Sequence, residues 1–140
     1  MIISDNKKYI FSLFILILFG LFTVTVKAEE GLADIEYVSI EPVIVTNYLK
    51  KRSKKPGFVQ LKAQLVVRSK ESVDLVMMHM PLIRDYIVEF LGFTEEKVIK
   101  DVSSRNRMRL AMTTGIQKLL TDNAGAPLIE DLVFTHFMWD

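Results

Sequence analysis

The side chains with chemical reach in this chain are few. Two histidines, His79 and His136, stand far apart in the sequence, and there is no cysteine. A zinc site needs three or four ligands at recognisable spacing, and neither HExxH nor CxxC is present. The missing thiols exclude cysteine nucleophiles, thiolate metal centres and disulfides. No GxSxG elbow, phosphate loop or dinucleotide fingerprint occurs. Asp85 and Glu89 lie one helical turn apart, and a lone carboxylate pair on a helix is ordinarily a solvated face. The sequence predicts no catalytic residue, no metal, no cofactor and no small-molecule substrate.

What remains is charge arranged for contact. "KKRSKKPG", 50–57, carries Lys50, Lys51, Arg52, Lys54 and Lys55 in six residues. It reads as a solvated hairpin end whose lysines prevent edge pairing. Two other readings stand beside it, an acidic protein partner, or anionic lipid headgroups at ~1 kcal/mol per cation. In "HMPLIRDYIVEFL", 79–91, Pro81 interrupts a helical pattern and the Arg84–Asp85 pair comes three residues later. Arg105 falls at a predicted helix start, where a cation opposes the helix dipole. It needs a carboxylate partner, either inside the fold or on another protein. Arg109, one turn further on, joins Pro81, Arg84, Asp85 and Arg105 as a candidate for partner binding.

The elements that carry these groups emerge from pattern. Ile35 to Leu49 is rich in Val, Ile and Tyr and reads as a strand, with Pro42 marking an edge position or a bulge. In Phe58 to Val67 apolar and polar residues alternate, which predicts a half-buried strand antiparallel to the first. Ser69 is placed to cap a helix that Gly92 ends. Thr94 with Glu95 and Glu96 starts a short helix. Ser103 or Ser104 starts a longer one that ends near Thr121. "DNAGAP", 122–127, is a loop, and Leu128 to Trp139 reads as a last strand. The order is β-β-α-α-α-β. The predicted class is α+β, a small antiparallel sheet of about three strands with two or three helices on one face.

On a helical wheel Val73, Val76, Met77 and Met80 form one stripe before Pro81. Ile83, Tyr86, Ile87, Phe90 and Leu91 form another, rotated by roughly 80°. A kink at Pro81 reconciles the two, sending Arg84 to the flank and Asp85 to the open side. An interior proline costs about 3 kcal/mol. Each large side chain buried returns about 1.5–3 kcal/mol, so the helix survives. The bend either tracks the twist of the sheet or presents Arg84 and Asp85 to a partner. On the long helix Met108, Ala111, Met112, Gly115, Ile116 and Leu119 share a face, and Gly115 predicts close packing.

The first 28 residues differ from the rest. Tyr9 to Val26 carries no charge, comes after Lys7 and Lys8, and leads into "KAEEG". This is a secretory signal cleaved after Ala28 or a single membrane anchor, and both export the remainder of the chain. Residues 29–34 are a short linker, too short to hold an anchored domain far from the bilayer. Residues 35–140 are the exported domain. Beyond Ala28 there are 15 Lys and Arg against 16 Asp and Glu, which gives no support for nucleic-acid binding.

One resemblance joins these features. "YVSIEPVIVTN" with Tyr37, Pro42 and Asn47, then "HMPLIRD", "RMRLAM" and the closing "LVFTHFM" occur in an order similar to that of the flagellar basal-body-associated FliL family. Pro81, Ile83, Arg84 and Asp85 match its helix motif, and Phe134, Thr135 and Phe137 match its last strand. The resemblance implies a periplasmic domain similar to the stomatin-like (SPFH) core. It implies a non-enzymatic accessory of the flagellar motor, associated with the basal body and stator, supporting swimming, swarming and chemotaxis-linked motility. It further implies a homo-oligomeric ring at the inner membrane, with the domain on the periplasmic face or free in the periplasm once cleaved. A membrane-associated SPFH-like scaffold and a soluble periplasmic binding module, both unrelated to flagella, are the alternatives.

Overall fold

In the computed structural model the described residues are 34–51 and 55–140. The predicted signal or anchor, most of the linker, and Arg52 and Lys54 lie outside them. The architecture is α+β, as the sequence predicts. An antiparallel sheet is built from β1 (Glu36–Ser39), β2 (Ile44–Tyr48), β3 (Gly57–Val67) and β4 (Asp131–Trp139). Four helices, α1 (Lys70–Met78), α2 (Met80–Gly92), α3 (Glu96–Lys100) and α4 (Arg105–Ala124), lie between β3 and β4 in the chain.

β3 is the centre because its alternation is uninterrupted over 11 residues. Val59, Leu61, Ala63, Leu65 and Val67 are buried beneath the helices. β4 pairs along one edge, with Leu65 opposite Leu132 and Leu61 opposite Phe137. β1 and β2 share the other edge, Val38 opposite Leu65 and Ile44 opposite Leu61. The single predicted strand from Ile35 to Leu49 is therefore two. Pro42 offers no N–H to the ladder, and the strand breaks around it and resumes two residues out of register. The Glu41–Pro42 peptide is cis. A second irregularity lies in β4, where Thr135 is an extra residue bulged between the pairs Lys62–His136 and Ala63–Phe134.

The predicted helix from Ser69 to Gly92 is also two. Ser69 caps α1 by accepting from the N–H of Ser72 at 3.1 Å. The backbone ladder closes where the N–H of His79 reaches the carbonyl of Leu75, and it restarts with the N–H of Ile83 on the carbonyl of His79. Pro81 thus occupies the first turn of α2, where a missing N–H costs little. The interior-proline penalty expected from sequence does not apply. Val76, Met80, Ile83, Ile87 and Leu91 are buried as predicted, but Met77 is 52 % exposed.

Two further boundaries shift. Thr94 does not cap α3; its hydroxyl donates to the carbonyl of Phe90, and Glu95 takes the cap position. A 3-10 turn, Val102–Ser104, precedes α4 and is capped by Asp101. α4 runs through Asp122 to Ala124 and stops at Gly125, whose φ of 80° is the left-handed conformation that ends many helices. Its buried face is Met108, Met112, Thr113, Ile116 and Leu120, with Ala111 turned outward.

Candidate functional site

The described polar groups serve mostly to hold elements together. His79 caps α1, its Nδ1 lying 2.8 Å from the carbonyl oxygen of Leu75. His136 sits on the solvent face of β4, opposite Lys62. Among the described residues no group of three or more His, Asp or Glu converges as metal ligands would.

The break between α1 and α2 is where several predicted residues meet. Arg84 turns to the flank, and its guanidinium donates to the carbonyl of Pro42, buttressing the interruption between β1 and β2. Asp85 is exposed and has no ion-pair partner among the described residues. Leu75, Met78 and Leu82 continue one outward stripe across the break, at 41 %, 73 % and 43 % exposure. Sequence reasoning missed this apolar stripe because it weighed only the inward faces. The signal was present: Leu75 and Met78 are three apart and Leu82 comes four later, on the face opposite the core.

The start of α4 gathers the other predicted cations. Arg109 is taken up inside the fold, bonded to the carboxylate of Asp131 and at 3.2 Å to the carbonyl of Leu132. Thr113 donates to the same carboxylate at 3.2 Å, so Asp131 ties α4 to the first residue of β4. Arg105 has no carboxylate partner among the described residues. Its guanidinium lies 3.8 Å from the ring centre of Phe137 and 5.5 Å from that of Trp139. Phe137 in turn stacks on Phe134, centroids 5.7 Å apart. The expectation of a carboxylate inside the fold is replaced by a cation–π seat. Burial pushes the Arg105 pKa down, since desolvation disfavours the charged form. The seat was illegible in the sequence, because the bulge at Thr135 sets which face Phe137 and Trp139 take.

At the basic hairpin end, Lys51 pairs with Glu95, which Lys97 also approaches at 3.1 Å. Lys50 stands 3.9 Å from Glu96, and Lys100 reaches the same carboxylate at 2.8 Å. The hydrogen bond from Lys51 and then that from Lys97 hold the Glu95 pKa below its ordinary value; the bond from Lys100 does so for Glu96. Lys55 is exposed at the foot of the loop.

These features define a small α+β domain whose described charges cap helices, bridge elements or stand ready at the surface. The family model described as flagellar basal body-associated protein FliL matches residues 37–139. The chain belongs to that family, whose members are flagellar basal-body accessories. No curated protein matches the chain.

Proposed function

We propose that this protein is a non-enzymatic accessory of the flagellar motor that docks on the stator and supports rotation under load. The observation that carries the reading is the family match, which covers nearly the whole folded unit. The break between α1 and α2 supplies a docking ledge: Pro81 lies on it in the first turn of α2, Arg84 braces it, Asp85 gives it charge, and Met78 and Leu82 give it apolar surface. The protein works as a homo-oligomer at the inner membrane, with residues 35–140 in the periplasm and residues 1–28 as anchor or cleaved signal. Pairing of Lys50 and Lys51 with Glu96 and Glu95 weakens both the lipid and the acidic-partner reading of the hairpin end.

Deletion of the gene is expected to reduce spreading in soft agar and swimming in viscous medium, with filaments still assembled. Undiminished motility at every load overturns the proposal. Replacement of Asp85 by Lys, with the fold intact, is expected to reproduce the loss. Sequencing the mature N-terminus separates the two forms, Met1 for the anchored and Glu29 for the free protein.

A further inference from the structure

Five arginines lie among the described residues, and four of them donate to oxygen. Arg68 meets Glu130, Arg84 the carbonyl of Pro42, Arg107 the hydroxyl of Ser104 and Arg109 the carboxylate of Asp131. Arg105 is the exception. Its Nε is buried with no hydrogen-bond partner among the described residues, while its guanidinium is laid on Phe137 and reaches Trp139. The two terminal amino groups are not buried in this way, and no hydrogen bond from them is made among the described residues. The ring of Phe137, itself stacked on Phe134, seats the guanidinium at 3.8 Å from its centre. A seated planar fork with two free amino groups is the geometry that takes a carboxylate through two parallel hydrogen bonds.

The cation is also poorly placed unless something offsets it. It stands in the first turn of a 20-residue helix that has no acidic residue there, and it is partly desolvated. An external anion relieves both penalties. That anion is singly charged, because neighbouring Arg107 and Arg109 are already engaged and a lone guanidinium is offered. A phosphate site gathers several donors; this one gathers a single fork beside an aromatic shelf. Trp139, 38 % exposed, supplies the apolar wall that an aliphatic Glu or Asp stem covers.

We propose that Arg105, seated on Phe137 and Trp139, is the receptor for an aspartate or glutamate side chain carried by an acidic segment of a partner protein. The inference rests on the docking role proposed above and names a second contact for it, away from the ledge at Pro81.

Trp139 is the single tryptophan of the chain, so its emission reports the site without a label. The full chain, in mild detergent, is titrated with a blocked ten-residue peptide of glutamate and glycine, with its glutamine counterpart, and with inorganic phosphate. The expected result is a saturable change in Trp139 emission with the glutamate peptide alone. Binding weakens at least tenfold in Arg105→Gln and in Arg105→Lys, which keeps charge but loses the fork, and is unchanged in Arg107→Gln. An equal response to the glutamine peptide or to phosphate overturns the proposal. So does full binding by Arg105→Lys. Loss of thermal stability in both variants, with no peptide response in the wild-type chain, assigns the cation a structural role and also overturns it. The two readings fail separately. If deletion impairs motility while Arg105→Lys swims normally and no peptide binds, only the receptor falls. If peptide binds but deletion is silent, only the motor role falls.

Discussion

Gly115 illustrates what single positions demand here. A Cβ built on it would overlap the end of the Tyr86 side chain, which would have to shift to admit it. In an open helix, alanine in place of glycine gains about 1 kcal/mol. Here overpacking costs about 1–3 kcal/mol. We expect Gly115→Ala to leave stability unchanged or lower it by up to about 2 kcal/mol, as the difference of those ranges. On a Tyr86→Leu background the same substitution should regain its stabilising sign, since the obstructing hydroxyl is gone. Denaturant unfolding of the four proteins checks this, and a stabilising Gly115→Ala beside an intact Tyr86 would sink it. Tyr86 itself is pushed above its ordinary pKa of 10.0, first by burial and then by Glu89. Its neutral form is favoured in the fold, so that contribution is whole below pH 10.0 and lost as pH rises through the folded value.

Among the elements, the break at His79 carries the next prediction. The sequence suggests a proline forcing a bend into one helix. The structure instead has two helices whose apolar faces, Val76 on α1 and Met80, Ile83 and Ile87 on α2, are all buried. Packing holds the angle, and Pro81 sits where it does little harm. Pro81→Ala should therefore change stability by less than about 1 kcal/mol. Removing the α1 cap with Ser69→Ala should cost about 0.5–2 kcal/mol. A shift above about 2 kcal/mol for Pro81→Ala would show that the proline itself sets the bend. These elements also mark what was legible in advance. The alternation from Val59 to Val67 identified a half-buried strand, though not its central place in the sheet, and the two stripes around Pro81 placed Arg84 on the flank and Asp85 on the open side. Pro42 signalled an edge or an irregularity, but the two-residue register change there and the bulge at Thr135 were not legible, because they are properties of strand pairs and the sequence of one strand does not contain its partner's register. The Arg105 seat depends on that bulge, so it was hidden with it.

At the scale of the whole domain, one corner joins the sheet to the helices by backbone bonds and charge together. The N–H of Leu49 donates to the carbonyl of Thr94, and the N–H of Glu96 to that of Leu49, each at 3.0 Å. Around them Lys51, Lys97, Lys50 and Lys100 surround Glu95 and Glu96. Close by in the chain, hydrogen bonds from Ser104 and then Ser103 hold the Asp101 pKa below its ordinary 3.8. Each of these carboxyls is more acidic in the folded protein than in the unfolded chain, so the unfolded state binds more protons as pH falls. Their stabilising contribution is present above the ordinary glutamate value of 4.5 and is lost as pH drops through the lower folded values. All three lie at the surface, so salt screens the effect. The melting temperature should accordingly hold between about pH 5 and 8 and fall progressively below about pH 4.5. Glu95→Gln combined with Glu96→Gln should flatten that acid limb, and about 0.5 M sodium chloride should flatten it in the wild-type chain. An acid limb of the same steepness in the double variant would mean that the corner is held by its backbone bonds and apolar packing alone.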